Sequence, residues 1–329
     1  MIISRTPLRI SFFGGGTDFP DWYNNNRGKV ISTTINKYSY VTARYLPPFF
    51  DFKYRLRYFL KEEVKKISLI KHPSIRETLK YLKINKNLEI IHNADLPAQS
   101  GLGASSCFTV GLINCLIKLS KKNITKEELY LKAIEIEQNR IKEFVGSQDQ
   151  TICSIGGTNI INFSKKIITT KKLPENNDNL KKLEKSIFLI FTGFTREAQK
   201  IEKNKIKNIK KNYKFYEKIL EITDEAEAQI YNSSNIVLDY AELMNKYWWY
   251  KKKLSDDVTQ NKIDKIFNFA LNKGAYSGKL LGAGGGGFLM LLIDPQKKKY
   301  FSDIFKNYTT VPIKFEQNGS QIIYHQKQD

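Results

Sequence analysis

The sequence predicts a two-domain α+β protein, and three observations support this fold class. The chain has 329 residues, a length that usually divides into two domains, and 41% of them are hydrophobic, enough for sizeable cores. Short runs typical of strands occur together with helical patterns in both halves. The polar stretch 164–185, loosest at Pro174–Asn179, indicates a boundary, so we expect domains at 1–175 and 176–329.

Alternating and β-rich runs predict the strands of the N-terminal half, which cover 2–13, 28–35, 38–45, 55–58, 88–92 and 158–163. Asn36-Lys37 separates two of these runs and predicts a hairpin turn. A helical pattern at 74–82 begins with Ser74 as a cap and has Glu77 in the capping-box position. The N-terminal half is therefore expected to be mainly sheet, with helices on it.

Apolar residues at helical spacing are frequent in the rest of the chain. Thr125 and Glu128 form a second capping box, which opens a helix that includes Glu137. The predicted helices of the C-terminal half cover 199–232, 236–254 and 263–273, and its predicted strands cover 186–191 and 288–293. Both halves thus combine helices and strands.

The chain is strongly basic. Lys and Arg number 54 against 33 Asp and Glu, which gives a formal net charge of +21. This charge favours anionic partners, from phosphorylated metabolites to nucleic acid and membrane surfaces, although most of the lysines are expected on solvated faces. The RNA-binding aromatic signature is absent and no apolar run approaches membrane-spanning length, so we expect neither nucleic acid nor a membrane as partner.

The cysteines suggest the compartment. Three occur, an odd number with no spacing typical of a metal site: Cys107, Cys115 and Cys153. Two of them fall in or beside an apolar helix, where a small buried thiol is usual. The N-terminus lacks the apolar core and cleavage site of a signal peptide. We therefore expect a reducing, cytoplasmic location.

A glycine- and serine-rich stretch, 97–106, joins the strand at 88–92 to an apolar helix. A helix N-terminus offers unpaired N–H groups and the positive end of the helix dipole, and glycines let an anion approach closely. The candidate nucleotide-binding residues are Pro97, Ser100, Gly101, Leu102, Gly103, Ala104, Ser105 and Ser106. The alternative is a plain Gly-Ser loop that caps a helix.

This phosphate cradle, as we call 97–106, is not a Walker A loop because no Gly-Lys-Ser/Thr follows. Phosphate charge must then be neutralised otherwise, most simply by Mg²⁺ bound to a serine hydroxyl and a carboxylate. Two more glycine-rich segments occur, at 14–18 and at 282–287. Taken alone, the first is compatible with an ordinary turn in which the Asp side chain bonds its own backbone.

Three glycine-rich segments in this order, with Glu137 and Asp149 between the second and the third, resemble the GHMP kinase superfamily. The matching segments are Arg5–Asp18, Pro97–Ser106 and Lys279–Gly287, so the resemblance covers nearly the whole chain. It implies a ribosomal-protein-S5-like N-terminal domain, a ferredoxin-like C-terminal domain and an active site between them. A homodimer is left open.

The resemblance also implies a reaction, the transfer of the γ-phosphoryl group of ATP to a sugar hydroxyl. Ser105 and Glu137 would hold Mg²⁺, although Ala104 stands where many relatives have the first serine of the cradle. Asp149 would be the general base, and Arg9 would orient it or steady the phosphoryl group. The implied substrate-binding residues are Thr17, Asp18, Arg196, Gly284 and Gly285. ATP, Mg²⁺ and a sugar phosphate are thus the expected small molecules.

Within the superfamily the sequence most resembles the heptose-phosphate kinases. Galactokinases carry Gly-Glu-His-Thr-Asp at the position of residues 14–18, which here read Gly-Gly-Gly-Thr-Asp. The implied acceptor is D-glycero-D-manno-heptose 7-phosphate, phosphorylated at its anomeric hydroxyl for surface polysaccharide synthesis. A second anion site would then be needed, and the candidates are Lys37, Arg44, Arg55, Arg57 and Arg196.

Two alternatives stay open at this point. One is another sugar kinase of the superfamily, similar to galactokinases or fucokinases, that acts on an unphosphorylated sugar. The other is a regulatory or nucleic-acid-binding protein on a degenerate kinase fold, which the charge of +21 favours. The presence of Ser105, Glu137 and Asp149 favours a working kinase, because a regulatory protein would not need all three.

Overall fold

The β-strands form the sheets on which the helices pack. The computed structural model describes residues 1–165, 167–194 and 198–326. Within these residues the strands, β1 to β12 in chain order, are Ile2–Phe13, Gly28–Tyr45, Tyr54–Arg57, Lys61–Val64, Leu88–Ala94, Thr158–Ser164, Ile167–Lys172, Ile187–Phe191, Ser277–Leu280, Phe288–Leu292, Thr310–Val311 and Gln321–His325.

Helices pack on these strands. Within the same residues the α-helices, α1 to α11, are Pro20–Tyr23, Pro73–Tyr81, Ala104–Leu119, Lys126–Ile134, Gln148–Ile155, Asp178–Ser186, Ala198–Lys207, Tyr213–Asn232, Ile236–Lys253, Asn261–Asn272 and Lys298–Ile304. A π-helix, Glu135–Ile141, continues α4, and short 3₁₀ turns occupy Ile67–Leu69, Asp256–Val258 and Pro295–Lys297.

The strands form two sheets. The larger has the order β12-β1-β2-β5-β3-β4, with β6 beside β2 and β7 beside β6. The smaller is antiparallel, with the order β11-β8-β10-β9. Because β12 pairs with β1, the end of the chain returns to the first sheet. Both sheets carry helices, which agrees with the predicted α+β class; the domain boundary at 175/176 stays a prediction.

Helix α3 lies on the larger sheet, where it packs against β1 and β2. Twelve of its residues are buried, including both of its cysteines. Nearly every side chain on this helix is apolar or small, so it can be surrounded by protein on most sides. All three cysteines are buried and free. The helix therefore holds its own N-terminus, and the cradle before it, in a fixed place.

The structure corrects the predicted hairpin at Asn36-Lys37. Strand β2 runs without interruption from Gly28 to Tyr45. The Asn36 backbone N–H donates to the carbonyl of Lys314 at 2.9 Å, and its side-chain oxygen accepts from the Lys314 N–H at 2.7 Å. A distant part of the chain thus satisfies Asn36, which has no need of a turn.

Two helix predictions also differ from the structure. Helix α2 starts at Pro73, in the first helical position where its fixed φ suits a helix, and Ser74 makes no cap; Glu77 instead pairs with Arg76 and Lys80. The single helix predicted over 199–232 is two helices, α7 and α8, separated at 208–212. The capping box of Thr125 and Glu128 is confirmed.

Candidate active site

A cavity lies where the glycine-rich segments meet the helices α5, α7 and α9. Most of the predicted cradle faces it, as do three predicted side chains, Arg9, Asp18 and Asp149. The cavity is lined by Arg9, Gly15, Gly16, Asp18, Phe19, Gln99, Ser100, Gly101, Gly103, Ala104, Ser105, Ser106, Glu143, Val145, Gly146, Gln148, Asp149, Gln199, Glu202, Lys205, Lys251, Gly282 and Ala283. Both halves of the chain therefore contribute to one site.

The cradle is a tight turn in front of α3. Gly101 and Gly103 have φ of +81° and +74°, a left-handed conformation that favours glycine. The helix begins at Ala104 without a side-chain cap, so its first N–H groups point toward the cavity without an intrahelical partner. These groups and the helix dipole form an anion site.

The third glycine-rich segment packs directly behind the cradle. A Cβ atom on Gly101 would lie 2.5 Å from the carbonyl oxygen of Leu281, and one on Gly287 would lie 2.3 Å from that of Ser100. The Phe288 N–H donates to the Ser100 carbonyl at 3.0 Å. Glycine is needed at these positions because two backbones are in contact there, and the contact fixes the shape of the cradle.

Arg9 and Asp149 form a bidentate ion pair directly beside the cradle's glycines. The Nε and Nη2 atoms of Arg9 donate to the two carboxylate oxygens, each at 2.6 Å, and Nη1 donates to the Gly101 carbonyl, also at 2.6 Å. Arg9 is 4% exposed. Burial opposes its charge, but the Asp149 carboxylate outweighs burial and keeps the pKa of Arg9 above its usual range. One guanidinium thus links the carboxylate to the cradle.

Asp18 is a second buried carboxylate at the cavity. Its oxygens accept from the backbone N–H groups of Gly16 at 2.8 Å and Gln148 at 3.3 Å. Burial raises the pKa of Asp18 to about 6 in spite of these donors, and the charges of Asp149 and Glu202 add to the rise. The carboxylate of Asp18 is thereby oriented from its own loop and from the start of α5.

Several predicted binding residues do not face the cavity. The Thr17 hydroxyl is fully buried, donates to the Gly14 carbonyl at 2.8 Å and accepts from the Lys29 N–H at 3.1 Å, so it stabilises the loop and does not line the cavity. Gly285 donates its N–H to the carbonyl of Val258 at 2.8 Å, and a Cβ atom on Gly284 would lie 2.5 Å from the same oxygen.

Other members of the predicted set have backbone roles. Gly282 and Ala283 line the cavity in place of Gly284 and Gly285. Leu102 is a core residue, and its carbonyl accepts from the Arg9 N–H at 3.1 Å. Pro97 precedes the turn and does not line the cavity. Arg196 lies outside the described residues.

Glu137 is fully buried in the π-helix next to the start of α3. Its Oε2 accepts from the Ser106 hydroxyl at 2.7 Å and from the Gln150 amide at 2.5 Å. Within the described residues its Oε1 has no hydrogen-bond partner. Burial raises the pKa of Glu137 to about 7, the charge of Glu143 adds to the rise, and the neighbouring hydroxyl and amide donors lower it.

The surroundings of Glu137 supply some of the ligands that Mg²⁺ needs. The described residues contain no group of three or more His, Cys, Asp or Glu that could hold a metal ion by itself. The buried Oε1 of Glu137, which has no partner among the described residues, and the hydroxyls of Ser105 and Ser106 are nevertheless oxygen ligands of the kind that Mg²⁺ prefers, although Glu137 itself does not line the cavity. Ser106 donates to Glu137, and both Ser105 and Ser106 line the cavity, so the assignment of Ser105 to Mg²⁺ stays a prediction.

The structure also identifies basic residues that sequence reasoning missed. Lys205 on α7 and Lys251 on α9 line the cavity. None of the four described candidates for a second anion site lines it: Lys37, Arg44, Arg55 and Arg57. Arg44 and Arg55 pair with Glu89, and Arg57 pairs with Glu63. A weak signal for Lys251 was available, because it follows the aromatic run 247–250, which indicates burial.

Two family models match the sequence, GHMP kinases N terminal domain over residues 68–157 and GHMP kinases C terminal over residues 240–306. The D-glycero-alpha-D-manno-heptose 7-phosphate kinase of Campylobacter jejuni is 30% identical over 310 residues, which are 90% of this chain and 91% of that protein. The chain belongs to the GHMP kinase family and is a phosphotransferase that acts on a hydroxyl group.

Solved structures show the same fold. A D-glycero-D-manno-heptose 1-phosphate kinase from Bacteroides thetaiotaomicron superposes with a TM-score of 0.80 at 21% identity, over 99% of this chain and 100% of that one. Lactococcus lactis galactokinase, solved with galactose, gives a TM-score of 0.74 at 17% identity, over 97% and 94% of the two chains. Among the described residues, no helix has both the length and the apolar character needed to cross a bilayer.

Proposed function

We propose that this GHMP kinase is a sugar kinase, which uses ATP to phosphorylate the anomeric hydroxyl of D-glycero-D-manno-heptose 7-phosphate. The observation that carries the proposal is the Arg9–Asp149 pair, which faces the same cavity as the cradle. The likeness to the Campylobacter jejuni heptose 7-phosphate kinase over 90% of this chain supports the choice of acceptor. Three buried free cysteines suit a reducing cytoplasm, where ATP is available.

The donor half of the site is the N-terminus of α3. The backbone N–H groups of the cradle would bind the β- and γ-phosphates of ATP. Ser105 and Glu137 would hold Mg²⁺, while Ser106 would orient Glu137 through its hydrogen bond to Oε2. The bound ion supplies neutralisation of phosphate charge, a task that no Walker A lysine performs here.

The acceptor half is built around Asp149. Asp149 would accept the proton of the attacking hydroxyl, whose oxygen forms a bond to the γ-phosphorus as the bond to the bridging oxygen of ADP breaks. Arg9 holds both carboxylate oxygens and so fixes the direction in which Asp149 faces. Asp18 would accept hydrogen bonds from sugar hydroxyls, since an oriented carboxylate is a double acceptor.

The test is ATP consumption with a panel of acceptors, comprising heptose 7-phosphate, free heptose, galactose, fucose and mevalonate, each with and without excess chelator. We expect the heptose phosphate to have the highest kcat/KM and the chelator to abolish turnover. Faster use of galactose, fucose or mevalonate would refute the heptose assignment, and full turnover in chelator would refute the assignment of Ser105 and Glu137 to Mg²⁺.

A further inference from the structure

We propose that Lys205 and Lys251 bind the phosphate group that the acceptor already carries, so that this kinase selects phosphorylated sugars. The inference rests on the proposed function, because it assumes a sugar acceptor in the same cavity. It assigns the second anion site to helices of the C-terminal half, α7 and α9, and not to the arginines of the first sheet.

The ammonium group of Lys251 has N–H donors without a hydrogen-bond partner among the described residues. The side chain is 4% exposed, and within the described residues its hydrogen bond is to the Gly282 carbonyl, at 3.0 Å. An ammonium group carries three donors, so two remain. A buried cation with unused donors at a cavity wall is costly unless an anion reaches it.

Lys205 lies beside it with a similar arrangement. Its Nζ donates to the Ala283 carbonyl at 2.6 Å and lies 3.2 Å from the Glu202 carboxylate, and its side chain is 3% exposed. The carboxylate of Glu202 therefore lies near both buried ammonium groups, and the charge of Asp18 also acts on Lys251. Burial is the main cause that lowers the pKa of Lys251 to about 7, and the charge of Lys205 lowers it further. A bound dianion would favour the protonated form of Lys251.

The position of Lys251 points to the acceptor. A Cβ atom on Gly15 would lie 3.5 Å from both Lys251 Nζ and Gln148 Nε2, so the ammonium adjoins the loop that carries Asp18. The Oε1 atom of Gln148, which lines the same cavity, is buried with no hydrogen-bond partner among the described residues. Lys251 therefore lies near Asp18, which is proposed to contact the sugar. The N–H groups of the cradle are the ones proposed to contact ATP.

The charges of Lys205 and Lys251 would make the site select a phosphorylated sugar over a free one. A sugar phosphate would pair with both ammonium groups, whereas a free sugar would bring no anion to them. Charge-assisted hydrogen bonds are about twice as strong as neutral ones. Loss of one such contact, about 1.5–3 kcal/mol, corresponds to roughly a tenfold to hundredfold loss in affinity.

The experiment compares the wild type with Lys205→Met and Lys251→Met, and with Lys205→Arg and Lys251→Arg, which keep the charge. Calorimetry without ATP measures binding of heptose 7-phosphate, free heptose and inorganic phosphate, and a competition assay measures the ratio of kcat/KM for the two sugars. We expect each Met variant to lose the preference for the phosphorylated sugar by roughly tenfold to hundredfold, with KM for ATP nearly unchanged. The Arg variants should recover part of it.

Arg57→Met is the matched control, because Arg57 is a cation that pairs with Glu63 and does not line the cavity, and we expect it to leave the preference unchanged. An equal loss of turnover with both sugars in the Met variants would overturn the inference, since the lysines would then act on the transferred phosphoryl group. If the wild type uses no heptose, the proposed function fails on its own. Phosphate binding then decides: weaker binding in the Met variants supports the anion site, and unchanged binding overturns it.

Discussion

Two carboxylates near the cradle, the half-buried Asp149 and the fully buried Glu137, have opposite surroundings. Asp149 is paired with the Arg9 guanidinium through both oxygens. Glu137 has only neutral groups as donors: Ser106 and Gln150 donate to one oxygen, the Thr109 hydroxyl also lowers its pKa, and among the described residues the other oxygen has no hydrogen-bond partner by distance and angle. The protein thus supplies the cation for one carboxylate and leaves the other to be neutralised by a proton or an ion.

The difference separates the two roles. A carboxylate fixed by arginine stays oriented whether or not ligands are bound, which suits the base that faces an acceptor hydroxyl. A buried carboxylate without a cation is unstable in its charged form until one arrives, which suits a ligand of Mg²⁺. Substitutions that alter the surroundings or the chemistry of either Asp149 or Glu137 test this difference.

The largest effect is expected from Asp149→Asn. The amide keeps the size of the side chain but cannot accept the proton, so kcat should fall by about 10²–10⁴-fold. KM for ATP should change little, because the proposed role of Asp149 is toward the acceptor. Steady-state kinetics with ATP and the best acceptor of the panel measures both constants.

Asp224→Asn is the control for this variant, because Asp224 pairs with Lys29 outside the cavity lining. It should retain wild-type kcat. An Asp149→Asn enzyme within a few-fold of the wild type would show that positioning alone suffices and that the Arg9–Asp149 pair is structural.

The contrast also shows how far sequence reasoning reached. The cradle was predictable because its glycines sit at a strand-to-helix junction, and local spacing alone specifies such a junction. The continuous strand β2 was not, because Asn36 is satisfied by Lys314, which is far away in the sequence. The pairing of β12 with β1 is equally non-local.

Side-chain direction was the second limit. Thr17 has the right residue type for a sugar contact, but its hydroxyl points into the loop and not into the cavity. Lys205 and Lys251 are two of 54 basic residues, and nothing in the local sequence of Lys205 distinguishes it from solvated lysines. Only the packing of α7 and α9 against the third glycine-rich segment places these two at the cavity.

A smaller effect is expected in the pH dependence of stability without ligands. The pKa of Glu137 is raised from 4.5 to about 7 in the folded chain, so the folded state binds this proton more tightly than the unfolded state does. The resulting stability is present below pH 4.5 and is lost as pH rises through 7. About 1.4 kcal/mol for each unit of pKa gives a loss of roughly 3 kcal/mol.

Glu137→Gln isolates this contribution, because it removes the titrating group and leaves Asp18, whose pKa is also raised, in place. Denaturant unfolding at pH 5 and pH 8 measures the free energy of unfolding of both proteins. We expect the wild type to lose roughly 3 kcal/mol relative to the variant over this interval. Parallel pH curves for the two proteins would contradict the raised pKa and the contrast built on it.

The smallest effect should separate the two serines of the cradle. Both serines line the cavity, but of the two only Ser106 donates to Glu137 and so lowers its pKa. Ser106→Ala should therefore move the pH of the Glu137-linked stability loss upward, and Ser105→Ala should leave it in place. Both should raise the Mg²⁺ concentration for half-maximal velocity by roughly tenfold, Ser105 as a ligand and Ser106 as the group that orients one. A normal Mg²⁺ requirement in Ser105→Ala, together with a raised requirement in Ser106→Ala, would show that Ser106 is the ligand. The unpartnered oxygen of Glu137 would then have to bind the ion next to Ser106.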